Sequence, residues 1–202
     1  MPDMNMLENV KTAADAVERV DMTVTEAMDD HRDRPLVKAA GFLSEIGDQS
    51  PLRALTLGAA AVGLARRDPR LTRTGLRMFV AHSLATGLKT LVKRSIDRTR
   101  PDHALDTNYS MQAGDSRKHE LSSFPSGHTA GALAVTQALA RDYPGSRGAG
   151  LAASAAIAVV QVPRCKHFVS DIVAGAVIGW AAEQISSRLF DWAEEKLATS
   201  GS

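Results

Sequence analysis

Seven stretches of helical periodicity, separated by short breakers, constrain this chain more than any other feature. Residues 5–29, 35–46, 51–65, 71–97, 126–141, 148–163 and 168–196 each read as a helix, with no strand-like alternation between them. Gly47-Asp48-Gln49-Ser50-Pro51 stops one helix and starts the next, with Ser50 placed to cap and Pro51 at the first position. Arg66 to Arg70, with Pro69, and Arg141 to Arg147, with Pro144 and Gly145, punctuate in the same way. Helices joined by so few residues run antiparallel. The expected fold is all-α, an antiparallel helical bundle.

A chain of 202 residues suits one domain. Residues 1–34 read as an N-terminal amphipathic acidic helix and linker, 35–196 as the bundle, and 197–202 as a flexible C-terminal tail. Aromatic residues are only 4%, which leaves Ala, Leu and Val to fill the interior and favours close helix–helix packing. Met6, Val10, Ala13, Val17, Val20, Val24 and Ala27 form a heptad seam on the first helix. Residues 1–30 carry a net charge of −6, from two basic and eight acidic side chains, which anionic lipid would repel. The seam therefore suits a partner helix, as in a homo-oligomer, or folding back on its own bundle. A net charge of +1 and the absence of a basic stripe with interleaved aromatics argue against nucleic acid as a partner.

Antiparallel order brings residues 93–101, 125–128 and 164–171 to one pole. They carry Lys93, Arg94, Arg98, Arg100, Ser126, Gly127, His128, Arg164, Lys166, His167 and Asp171. So many cations would repel one another unless an anion joined them. Pro125-Ser126-Gly127-His128 stands at a helix start, where free N–H groups and the helix dipole favour negative charge. His167 and Asp171 are four apart, so the carboxylate can hold one imidazole nitrogen and leave the other free as a nucleophile. His128 is then available as an acid toward a leaving oxygen. This is equipment for phosphoryl transfer without a metal or other cofactor. Residues 98–124 form a long aperiodic stretch beside it, a length that inside a compact domain usually serves function.

Lys93-x6-Arg100-Pro101, Pro125-Ser126-Gly127-His128 and His167-x3-Asp171, in this order, resemble the signature of the type 2 phosphatidic acid phosphatase superfamily. That group also holds bacterial non-specific acid phosphatases and vanadium haloperoxidases. The resemblance implies that Lys93, Arg100, Ser126 and Gly127 bind phosphate, His128 is the acid, His167 becomes the phosphohistidine and Asp171 orients it. The third motif departs from the family pattern, with Val160-Gln161 where Ser-Arg is the rule. Arg164, one turn further on, is placed to supply the missing guanidinium. Two alternatives stand beside the phosphatase: a vanadate-dependent haloperoxidase of the same fold, and a non-catalytic helical membrane or scaffold protein.

Other residues read more plainly. Arg98 fits a solvated cation as well as a functional one. His82 reads as a satisfied interior histidine, and His103 and His119 as surface residues of the long loop. Cys165 reads as a small packing residue whose cationic neighbours would lower its pKa. The longest uncharged run, Gly148 to Pro163, is sixteen residues, short for a membrane span. Arg66, Arg67, Arg70, Arg73, Arg141 and Arg147 gather at the pole opposite the site, as positive-inside orientation requires. Together with the resemblance, this gives the expectation of a multi-pass inner-membrane protein with its site facing outward and a lipid phosphate as substrate. A soluble enzyme acting on small phosphate esters is the alternative.

Overall fold

The computed structural model describes residues 4–200, apart from the side chains of Met4, Leu7, Val10 and Ser200. In chain order come α1 (Met4–Asp29), α2 (Pro35–Ser44), α3 (Gln49–Ala65), α4 (Pro69–Lys93), β1 (Ile96–Arg98), α5 (Pro101–Asp106), β2 (Met111–Ala113), α6 (Gly127–Asp142), α7 (Arg147–Val159) and α8 (Val169–Ser200). The expected all-α bundle is what forms, with boundaries shifted by a few residues. α3 starts at Gln49 with Asp48 at its N-cap position, rather than at Pro51 behind Ser50. α8 continues through residues 197–200, which the sequence assigned to a tail.

The stretch 98–124 is not structureless. β1 and β2 pair antiparallel, with Asp97 opposite Gln112, and α5 and a short 3-10 turn at His119–Leu121 fill the rest. Three-residue strands are too short to show an alternating pattern, which is why the sequence hides them. They also cut α4 short, at Lys93 instead of 97.

The core lies between α3, α4, α6 and α8. Leu52, Met78, Ala81, Ala85, Ala130, Ala134, Val135, Ala138 and Ala182 fill it. Small side chains let helix backbones approach closely. Gly175 and Gly179 on α8 show how closely: a Cβ at either would sit 2.5 Å from a carbonyl oxygen of the neighbouring segment, Ser126 or Ala130. A glycine inside a helix costs about 1 kcal/mol relative to alanine. Here it draws the start of α8 against the start of α6, and Ser126 N donates to the Asp171 carbonyl at 3.0 Å.

α1 packs on the bundle through a face other than its seam. Met6, Val17 and Val20 of its seam are exposed, while the polar Asp21 and Thr25 are buried against the bundle. Val10 of the seam lies outside the described side chains.

Among the described residues no helix is long and apolar enough to cross a membrane. The helices thus lend the transmembrane expectation no support. α4 carries Arg70, Arg73, Arg77, Lys89 and Lys93, and α7 has only 13 residues. The arginines at the far pole remain largely exposed, and some of them also pair within the protein. Arg73 Nε lies 2.9 Å from Glu194, and Arg141 Nε lies 2.8 Å from the buried Glu183. Arg77, itself buried, reaches Asp142 at 3.7 Å. Arg66, Arg67 and Arg147 stay exposed.

Candidate active site

Residues 93–101, 125–128 and 164–171 do meet at one pole. They surround an open cavity of about 330 Å³ lined by Lys89, Lys93, Arg100, Gly127, His128, Gln161, Arg164, Lys166 and His167, with Glu45, Asp48 and His119 completing the wall.

His167 sits in the turn before α8 and is almost fully buried. Its Nδ1 faces Asp171 Oδ2 at 3.5 Å. The Asp171 carboxylate is itself held on all sides. Arg98 Nη1 donates to Oδ1 at 2.6 Å, and Phe168 N donates to Oδ2 at 2.9 Å. The Ser123 hydroxyl also donates to Oδ2. Burial alone would raise the Asp171 pKa, but His167, Arg98 and Ser123 hold it below the usual carboxylate range. Burial pushes the His167 pKa below the ordinary imidazole range, with Arg100 and Lys93 adding to the effect and Asp171 opposing it. At neutral pH the imidazole is therefore uncharged, with Nδ1 turned to the carboxylate and Nε2 free.

His128 stands in the first turn of α6, where the N–H groups have no partner inside the helix. Its Nε2 lies 3.5 Å from Glu45 Oε2. Lys93 donates to the Ser122 carbonyl at 2.6 Å. Burial, followed by the charges of Arg100 and Lys89, pushes its pKa down to about 8. Arg100 donates Nε to the His119 carbonyl at 3.0 Å, which fixes its guanidinium on the cavity wall.

Several expectations need correction. The Ser126 hydroxyl does not face the cavity: it accepts from Thr129 Oγ1 at 3.0 Å as the cap of α6, so the residue shapes the site through its backbone. Arg98 is not solvated but buried between two carboxylates. His82 is buried as expected, and burial lowers its pKa while a hydrogen bond with the Gln49 backbone opposes the shift. The Cys165 thiol has its pKa raised by burial, not lowered by neighbouring cations. Cys165 also adopts a left-handed backbone, φ 51°, in the turn that delivers His167. His103 stays exposed as expected, and His119, though exposed, lines the cavity.

Arg164 does reach the cavity. Its Nη2 donates to Glu45 Oε1 at 2.8 Å and its Nη1 to Ser44 Oγ at 3.1 Å, while the buried Gln161 donates to the same Ser44 oxygen at 3.1 Å. The sequence reading missed Lys89. It lies one turn before Lys93 on α4, and its Nζ would be 3.3 Å from a Cβ placed on Gly127. The four-residue spacing to Lys93 was the available signal.

The sequence pattern of the PAP2 superfamily matches residues 74–195, which hold all three motifs. The chain belongs to the PAP2 superfamily. Over 105 residues it is 36% identical to a lipid A 1-phosphatase of Rhizobium johnstonii, covering 52% of this chain and 43% of that protein. It is 32% identical to a lipid A 1-phosphatase of Rhizobium etli, covering 52% and 45%. The matched region thus spans less than half the length of these relatives. Among solved structures, a transmembrane PAP2-type phosphatidylglycerolphosphate phosphatase from Bacillus subtilis superposes with a TM-score of 0.66 at 21% identity, over 87% of both chains. Aquifex aeolicus LpxE superposes with a TM-score of 0.59 at 17% identity, over 84% of this chain and 95% of the other. At such identities the superpositions speak for the PAP2 fold.

Proposed function

We propose that this PAP2 protein is a metal-independent phosphatase that hydrolyses a lipid-borne phosphomonoester or diphosphate through a phosphohistidine. One observation carries the reading: a buried His167, backed by Asp171 at 3.5 Å, opens onto a cavity that also holds His128 and a set of cations. His167 Nε2 attacks phosphorus while the ester P–O bond breaks, and His128 gives its proton to the departing oxygen. A water molecule then attacks the phosphohistidine and passes a proton to His128, releasing inorganic phosphate and restoring both residues. Lys93, Arg100, Lys89, Arg164 and the N–H groups opening α6 hold the equatorial oxygens as charge spreads onto them.

The lipid part of the reading rests on the relatives' names and on the rim of the cavity. Leu36, Phe42, Leu43 and Ile46 are exposed on the segment that also presents Glu45 to the cavity. Such a patch next to a phosphate site suits an acyl chain at a membrane surface. The test is hydrolysis of phosphatidate, phosphatidylglycerophosphate and lipid A in chelator, with vanadate as inhibitor, and acid-quench trapping of a labelled phosphoenzyme. Activity should survive EDTA, fall with vanadate and leave no label on His167→Ala. Activity abolished by EDTA and restored by magnesium or zinc sinks the mechanism. Halide oxidation by peroxide with bound vanadate would point to the haloperoxidase instead.

A further inference from the structure

α1 contributes one carboxylate to the interior of the protein, and that carboxylate is tied to the catalytic pole. Asp21 is 2% exposed. It accepts Arg98 Nη2 at 2.7 Å and Ser170 N at 3.1 Å, and it also accepts the Ser170 hydroxyl. The other arm of the same guanidinium, Nη1, donates to Asp171 Oδ1 at 2.6 Å and to Ser170 Oγ at 2.7 Å. The guanidinium lies 4.3 Å from the centroid of Phe168, the residue after His167. We propose that Asp21 is a positioning residue for the nucleophile, the outer member of a buried line Asp21–Arg98–Asp171–His167.

Two physical consequences follow. A guanidinium is a planar fork, so fixing one arm on Asp21 fixes the direction in which the other meets Asp171. That in turn sets the angle at which Asp171 faces His167 Nδ1. The second consequence is electrostatic. Two carboxylates and one guanidinium leave the line with a charge of −1 behind the imidazole, and neutralising Asp21 brings it to zero. The imidazolium form of His167 then loses part of its stabilisation, and the ring deprotonates at lower pH.

Other charged groups face this line from every side. Lys93 comes from α4, Arg100 from the position just before α5, and His128 from α6, with Arg164 and Lys166 in the turn before His167. Tyr109 lies 5.4 Å from Arg98 and is coupled to Glu18 of α1. Each of these groups keeps its own charge in an Asp21 variant, so a shift of His167 there is read against a variant that disturbs only the docking of α1.

The inference rests on His167 as the nucleophile, so labelled phosphoenzyme is first sought in the unaltered protein; without it, the functional reading fails before the line is tested. With it, the pH profile of kcat/KM is compared for Asp21→Asn, Asp21→Glu and Thr25→Ala. Thr25 shares the buried face of α1 and serves as the control for docking alone. Asp21→Asn should lower kcat about 10-fold and move the acidic limb down by about half to one pH unit. Asp21→Glu should return the limb toward its original place, and Thr25→Ala should leave it there. An unmoved limb in Asp21→Asn overturns the proposal, whatever happens to kcat. Should Asp21→Asn not fold, Ser170→Ala loosens Asp21 without altering the charge. It should lower kcat with the limb in place, and unchanged kcat overturns the proposal.

Discussion

Lys93 makes the pH dependence of this site specific. Its ammonium is pushed down to about 8 by burial and by the nearby Arg100 and Lys89. The sign is fixed by the chemistry: as pH rises the cation becomes neutral, and a phosphate dianion loses a partner. With a value near 8, roughly nine-tenths of Lys93 is charged at pH 7 and about one-tenth at pH 9. If only the charged form grips substrate, kcat/KM falls about 10-fold between those points and continues down by a factor of about ten per unit. The His128 proton that a poor leaving group needs is also lost as pH rises, so the ester used carries a good leaving group, on which that proton is not required. The Tyr109 hydroxyl is pushed up to about 12, and the burial-raised Cys165 thiol does not face the cavity. Lys89 is lowered too, chiefly by burial, so Lys89→Gln tells the two apart: a limb owed to Lys93 survives it, moved upward because one repelling charge is gone. The assay is initial-rate hydrolysis of a soluble phosphate ester from pH 6 to 10. Lys93→Arg replaces the ammonium with a group that does not titrate there, and it should abolish the basic limb even where absolute activity drops. A basic limb that survives unchanged in Lys93→Arg, or a flat profile to pH 10 in the unaltered protein, refutes the reasoning.

Arg164→Ala should lower turnover by roughly 10²–10³, the loss typical of one buried transition-state donor, and Gln161→Arg in that background should recover part of it; unchanged kinetics would leave phosphate to Lys93, Arg100 and the start of α6. Gly175→Ala should destabilise the protein by about 1–3 kcal/mol through overpacking against the Ser126 carbonyl, read as a lower denaturation midpoint. Arg98→Met leaves Asp21 and Asp171 buried without their shared cation, and about 3–5 kcal/mol of stability should go with it; urea titration giving under 1 kcal/mol would contradict this.

Much of the site could be read from the chain because its parts obey simple spacing. The breakers at 47–51, 66–70 and 141–147 set the antiparallel order, and that order alone brought Lys93, His128 and His167 to one end. The residues that escaped lacked any periodic mark. Asp21 looked like one more solvated acid on an acidic helix, since burying a carboxylate requires a partner 77 residues away. Arg98 escaped for the same reason from the other end. Ser126 was legible as part of a motif, but the competition between capping a helix and facing a ligand is settled only by the three-dimensional turn. The shortness of the uncharged runs was legible as well, yet the far-pole arginines and the family resemblance led the reading to a multi-pass protein, which the helices do not support.

The clasp on α1 bears on how far the catalytic half can be treated as a portable unit. The family match covers residues 74–195, and Asp21 lies well outside it. A chimera that grafts those residues onto another scaffold would carry all three motifs and still inherit an Arg98 with one arm unanswered. Its designer would have to supply an acceptor at that spot, or rebuild the arginine and its neighbours as an apolar patch. In this protein the boundary of the recognisable family sequence and the boundary of the working machinery fall in different places.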